Sequence, residues 1–217
     1  DTTRGKYSYD RIISSFENKE VDILVGTQMV TKGLDFRHVK LVGVLNADQL
    51  INFPDFRAHE RSFQLLQQVS GRAGRTDVRG KVIIQTYDPY HTILQQVSTN
   101  DYASMFKEQL DDRRVYKYPP YCRIIKLTLK HKDYNKVNDG SEWLATSLRH
   151  VFKQNVLGPE FPVVSRIRNQ YHKNILLKIP QNQSLIKTKS VLQKIKTSFL
   201  STPSYRAVRV IINVDSY

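Results

Sequence analysis

The sequence predicts two domains of different class: an open α/β lobe with a parallel sheet over residues 1–117, and an α+β domain over residues 118–217. Three observations lead there. Strand and helix patterns alternate through the first half, which implies parallel strands joined by helical crossovers. Tyr118-Pro119-Pro120-Tyr121 then interrupts the chain, because proline keeps the residue before it out of helical conformation. Charge also changes there: residues 1–112 hold 14 Lys+Arg against 15 Asp+Glu, whereas residues 113–217 hold 20 against 5.

In the first half we read a helix at 7–18, a strand at 21–26, a strand at 39–46, a helix at 57–70, a strand at 81–86 and a helix at 91–98. The strand at 21–26 rests on the short apolar run Ile23-Leu24-Val25, of the buried-strand type. A further helix at 101–116 carries Tyr102, Phe106 and Leu110 on one stripe.

Beyond Tyr121 the pattern is strand 123–129, helix 135–152, strand 163–167, strand 174–179, helix 184–199 and strand 208–214. That β-α-β-β-α-β order is the split βαβ, or ferredoxin-like, arrangement. Tyr118-Pro119-Pro120-Tyr121 reads first as a rigid spacer, and second as a place for aromatic stacking on a base.

Two motifs carry chemistry. The helix at 57–70 runs into Gln68-Val69-Ser70-Gly71-Arg72-Ala73-Gly74-Arg75. Glycines at 71 and 74 let the backbone approach a ligand closely, and two guanidinium forks three residues apart suit a phosphate chain whose charge grows during cleavage. Upstream, Gly26-Thr27-Gln28 and Lys32-Gly33-Leu34-Asp35 follow the strand at 21–26, the carboxyl-end position where open α/β sheets bind ligands. A phosphate loop is missing: Gly5-Lys6 is followed by Tyr7, and Gly80-Lys81 by Val82. No Asp-Glu pair follows an apolar strand to hold Mg²⁺. A nucleotide-hydrolysing engine needs both, so we expect a C-terminal piece of a longer protein carrying half of an ATP site.

Strand–GTQ–KGLD–strand–helix–QxxGRxGR resembles motifs V and VI of the superfamily 2 helicases. The longer text GTQMVTKGLDF…LVGVLNAD…FPDFRAHERSFQLLQQVSGRAGR, together with Asp1-Thr2-Thr3-Arg4-Gly5-Lys6, resembles the bacterial primosomal replication-restart helicases. Tyr118-Pro119-Pro120-Tyr121, Leu157-Gly158-Pro159 and the run from Arg166 to Lys178 match that family's C-terminal domain, so the resemblance spans the chain. It implies a RecA-like second helicase lobe, truncated at its start, followed by a DNA-binding α+β module. It implies an ATP-dependent 3′-to-5′ DNA helicase that restarts stalled forks and initiates primosome assembly. Other superfamily 2 translocases, or a non-catalytic nucleic-acid docking module, are the competing classes; a phosphate loop upstream would separate them.

The same resemblance assigns roles. Arg75 would be the arginine finger, Arg72 would contact phosphate, and Gln68 would position Arg75 or the attacking water. Gly33 and Asp35 would belong to the nucleotide side. Thr27, Gln28 and Lys32 would face the translocating DNA strand. Arg4 and Lys6 are weaker phosphate candidates. ATP and Mg²⁺ are the implied cofactors, zinc would be bound upstream, and no metal is expected in this chain. Forked and single-stranded DNA, the tail of the single-strand-binding protein, other primosome proteins and the replicative-helicase loader are the implied partners. His59-Glu60 does not extend into H-E-x-x-H, so a helix-surface role fits it better.

A domain with 20 cations against 5 carboxylates has the electrostatic footprint of a polyanion partner. Arg166, Arg168, Tyr171 and Lys173, with His172 and Lys178, surround two adjacent strands and form the first DNA-binding candidate. Tyr171 is available to stack on a base or to pack on the core. Lys187, Lys189, Lys194 and Lys196 on the second helix form the alternative. Lys173 and Asn174 stand where family members carry an Arg-rich turn with an extra aromatic, which weakens the expectation of strong stacking.

Hydrophobic and charged fractions of 40% and 25% allow both halves a core. No apolar run reaches the ~18–20 residues of a membrane span, and no signal-peptide pattern opens the chain. Cys122 is the single cysteine, which excludes an internal disulfide and a Cys-based zinc site. A cytoplasmic, nucleoid-associated protein is expected.

Overall fold

A computed structural model describes residues 8–27, 39–71 and 80–214. The chain divides into two compact units, Asp1–Leu110 and Asp111–Tyr217. The joint read at Tyr118–Tyr121 comes just after the helix in which this division falls.

The first unit contains α1 (Ser8–Glu17), β1 (Leu41–Val44), the short α2 (Asp48–Ile51), α3 (Ala58–Ser70), β2 (Lys81–Ile84) and α4 (Thr92–Thr99); α5 (Tyr102–Val115) begins in it. β1 and β2 pair in parallel, from Leu41 opposite Lys81 to Val44 opposite Ile84. The core gathers Ala47, Ile51, Phe63, Leu66, Ile93, Leu94, Val97 and Met105, with Val44 and Ile84 packed against it. Phe63, Leu66 and Val69 recur on one side of α3 and are buried there. His91 caps α4 by accepting the Ile93 N–H on Nδ1 at 3.2 Å.

Two expectations fail here. Residues 21–26 are not a strand: they are irregular, and Ile23 and Val25 are 76% and 83% exposed. A buried parallel strand needs hydrogen-bonded neighbours on its edges, and among the described residues this segment has no strand partner. The stripe on α5 is also displaced. Met105 and Gln109 are its buried residues, whereas Tyr102 and Phe106 are about half exposed and stack on each other at 5.9 Å.

The second unit contains β3 (Cys122–His131), α6 (Tyr134–Phe152), a 3₁₀ turn (Lys153–Asn155), β4 (Val156–Glu160), β5 (Arg166–Ile167), β6 (Gln170–Pro180), α7 (Leu185–Ser201) and β7 (Arg209–Val214). The sheet runs β4-β6-β3-β7, every neighbouring pair antiparallel, and β5 pairs with β6. Strand alternation sends Ile125, Leu127, Leu129, Ile175, Leu177, Ile179 and Val210 to one face, where Leu144, Ala145, Leu148 and Phe152 of α6 and Leu192 and Phe199 of α7 complete the core. Asp133 caps α6 through the Lys136 N–H, and Ser184 caps α7 through the Lys187 N–H.

The strand expected at 163–167 shrinks to Arg166–Ile167, and a strand at Val156–Glu160 precedes it instead. Gly158 and Pro159 argue against a strand in sequence, but β4 lies at the sheet edge, where proline loses no ladder bond. The register shifts between Leu157 and Glu160, where Gly158 has φ +86°. Val163 and Val164 are exposed at 78% and 58%, so their β-branched signal reflects no burial.

Candidate functional site

Of the residues expected to face nucleotide, Gly33, Asp35, Arg72 and Arg75 lie outside the described residues, as do Gln28 and Lys32 of the expected DNA path and the weaker candidates Arg4 and Lys6. Thr27 and Gln68 are described. Thr27 is exposed in a bend after Gly26. Gln68 is exposed near the end of α3 and lines an open groove of about 500 Å³ with Gln49, Leu50, Phe53, Arg61, Ser62 and Leu65. Ser62 Oγ is buried without a hydrogen-bond partner. Arg61, the cation among these residues, is held by Asp55 at 3.0 Å.

The helix runs through this groove wall to Gly71, which keeps a right-handed conformation (φ −68°, ψ −2°). A Cβ there would meet Gln67 O at 3.5 Å, an ordinary contact. Neither its backbone conformation nor its contacts with the described residues therefore require this glycine. Other residues of the motif-like text have structural work. Asp48 accepts the Thr86 hydroxyl at 2.9 Å and the Tyr87 N–H at 3.1 Å, fixing the turn after β2. His59 sits edge-on to the His91 ring at 5.4 Å, within 3.4 Å of Gln109 Nε2, a packed polar contact on the helix.

In the second unit the four DNA candidates separate. Arg166 and Arg168 are exposed on the β5–β6 hairpin, whose two-residue loop places Arg168 and Asn169 at φ 48° and 60°, as a type I′ turn requires. Arg166 also bonds Asn169 and lies 5.1 Å over the Tyr171 ring. Tyr171 and Lys173 fall, by strand alternation, on the face that the helices cover. Tyr171 meets Tyr134 edge-on at 5.5 Å, which favours packing for this side chain over a free stacking platform.

Lys173 is a correction. It is 5% exposed, its Nζ donates to Asn138 Oδ1 at 2.8 Å and reaches Glu142 Oε1 at 3.4 Å, and it lies 5.0 Å over Phe161. An ammonium so enclosed and paired is a structural group of the sheet–helix seam. Lys178 is committed too: it donates to Tyr116 O at 2.7 Å and sits 3.8 Å over the Tyr118 ring. Burial pulls its ammonium below the ordinary lysine range, with Cys122 nearby opposing and Lys117 adding to the shift. The Tyr118-Pro119-Pro120-Tyr121 segment is thereby tied to β6 by its first ring.

Sequence reasoning passed over the cations of β3 and β7. In Lys126-Leu127-Thr128-Leu129-Lys130 the apolar residues alternate with polar ones, a period-two signal for a strand with one basic face. Lys126 and Lys130 lie on the face opposite the core, and Arg209 lies beside Lys130 on β7. Among the described residues none of the three has an ion pair or side-chain hydrogen bond.

Comparison with known proteins is consistent along the chain. Residues 4–77 match the helicase conserved C-terminal domain, and residues 114–217 match the primosomal protein N C-terminal domain. The chain is 38% identical over 223 residues to the replication restart protein PriA of Bacillus subtilis, covering 100% of this chain and 27% of that protein. It is 41% identical over 198 residues to the replication restart protein PriA of Synechocystis, covering 90% of this chain and 24% of that one. For the Borreliella burgdorferi protein of the same name the figures are 33% over 213 residues, 94% and 30%. The chain thus spans between about a quarter and a third of the length of these curated relatives. With a helicase C-terminal domain and this family's own C-terminal domain in succession, the chain belongs to the PriA family of replication restart proteins.

Proposed function

We propose that this chain supplies the second helicase lobe and the C-terminal DNA-binding domain of an ATP-dependent, 3′-to-5′ superfamily 2 DNA helicase that restarts stalled replication forks and initiates primosome assembly. The observation that carries this reading is the succession of the two family matches along one chain whose entire charge excess lies in the second half.

Residues 1–117 are read as a RecA-like lobe and residues 118–217 as a ferredoxin-like module. With the two-residue β5 set aside, the β-α-β-β-α-β order and the β4-β6-β3-β7 pairing support the second assignment. In this reading ATP with Mg²⁺ provides the driving reaction, and the chain brings one side of its site. The family resemblance assigns contact with the terminal phosphate to Arg75 and Arg72, and assigns Gln68, Gly33 and Asp35 to the nucleotide side. Thr27, Gln28 and Lys32 track the DNA strand. Forked and single-stranded DNA are the substrates, and the single-strand-binding protein tail, other primosome proteins and the helicase loader are the partners. The protein acts in the cytoplasm, at the nucleoid.

Replacing the arginine finger tests this. In the full-length protein, Arg75→Ala should cut kcat for ATP hydrolysis by about 10³-fold or more with DNA binding nearly intact. Near-normal turnover in a steady-state assay would remove Arg75 from that role.

A further inference from the structure

The second unit packs α6 and α7 on one sheet face and leaves the other, the open face, free of them. Ile124, His172 and Asn174 are nonetheless buried there, and the Tyr118 ring lies over Lys178 at one end. The closed face holds the core described above. Alternation and register fix the side chains of the open face in rows across β6, β3 and β7. His172, Lys130 and Arg209 form one row; Asn174, Thr128 and Ile211 the next; Leu176, Lys126 and Asn213 the third.

The first row is the informative one. Residues directly opposite on antiparallel strands bring their Cβ atoms within about 5 Å, and like charges placed so are destabilising. Lys130 stands opposite Arg209 on one side and opposite His172 on the other. His172 is only 8% exposed, and burial, then the charge of Lys130, holds its imidazole below the ordinary histidine range. No carboxylate relieves the row among the described residues. Register places Glu160 on this face, but at the β4 edge, with β6 between it and β3. A fold that juxtaposes cations without counter-charge sets them against an external anion.

The spacing describes that anion. Lys126 and Lys130 are four residues apart, roughly 13 Å along β3. Thr128, whose hydroxyl donates to Asn174 Oδ1 at 2.9 Å, lies between them. Apart from the buried His172 ring, these three rows hold no aromatic side chain, so they offer no exposed platform for stacking bases. It suits a regularly repeating anion contacted through its charges.

We propose that the open face of the β4-β6-β3-β7 sheet, through Lys126, Lys130 and Arg209, binds the phosphodiester backbone of DNA. This rests on the reading of the second unit as a DNA-binding domain and assigns the surface that does it. The hairpin arginines Arg166 and Arg168 are then secondary.

The test uses the 217-residue chain with fluorescently labelled single-stranded and duplex DNA of mixed sequence. Anisotropy is measured against salt for the chain, for K126Q/K130Q/R209Q, and for R166Q/R168Q. The open-face variant should lose ten-fold or more in affinity at about 50 mM salt, and its log–log salt slope should fall by about 2–3, roughly one per cation removed. The hairpin variant should change far less. Thermal unfolding gives an independent readout. Removing juxtaposed like charges should leave Tm unchanged or raise it by a degree or more, so lost binding cannot be assigned to lost folding.

Loss of binding in the hairpin variant with the open-face variant unaffected would overturn the inference and leave DNA binding by the unit standing. A parent chain that binds neither DNA would overturn both. Face-dependent capture of an acidic peptide, with DNA affinity indifferent to the open-face substitutions, would assign the surface to a protein partner and overturn it as well.

Discussion

At His172 the imidazole sits in a row with Lys130, its backbone N–H donating to Ser165 O at 2.8 Å. Burial first, and Lys130 second, lower its pKa. The sign of the linkage follows. The unfolded chain takes up a proton near pH 6.5 before the folded one does. Stability from this group is therefore complete above that pH and declines as pH falls below it, until the folded imidazole itself titrates. Chemical denaturation between pH 7.5 and 5 should show this decline, and His172→Gln should flatten part of it; an unchanged pH profile in that variant would contradict the assignment. Lys173 teaches a related lesson at the next position. As a lone residue it reads as one more cation of a basic patch, yet alternation turns it inward, toward Asn138 and Glu142. Its neighbour in sequence faces the open side. A charge count cannot distinguish the two; strand register can.

At the scale of elements, the helices and central strands were legible because their periodicities are long. α6 and α7 repeat their apolar stripe over several turns, and β3 alternates through ten residues. Short or edge elements were not. Ile23-Leu24-Val25 reads as a strand from composition, but strand state depends on a partner that composition does not specify. Val156–Glu160 reads as a loop because Gly158 and Pro159 are turn residues, and only its position at the sheet edge makes them compatible with pairing. Gly158 itself is required there: at φ +86°, a Cβ would stand 2.8 Å from Asn174 O, a backbone atom that cannot swing aside. Gly158→Ala should destabilise the second unit by at least about 1 kcal/mol, lowering its Tm by several degrees in calorimetry. An unchanged Tm would show that the β4 bulge relaxes without cost. The same physics limited the candidate site. The helix carrying Gln68 was clear in sequence, but Gly71, which invited a backbone argument, has an ordinary right-handed geometry.

For the molecule as a whole, the two halves differ more in charge than in size. The first carries 14 cations against 15 carboxylates up to residue 112, and the second 20 against 5. That asymmetry was readable from sequence, and the structure explains how so basic a unit folds. Some of its cations are absorbed internally, Lys173 by Glu142 and Lys178 by the Tyr118 ring, while Lys126, Lys130 and Arg209 remain on an open sheet. That this chain holds DNA through its phosphates is the central claim, and the salt dependence of binding tests it most directly. Equilibrium titration of the 217-residue chain with mixed-sequence DNA, repeated across sodium chloride concentrations, should give a linear log–log plot. A slope of about −3 to −5, with little sequence preference, corresponds to a few phosphates neutralised by the basic unit. Absence of binding at low salt, or affinity that does not change with salt, would contradict the account.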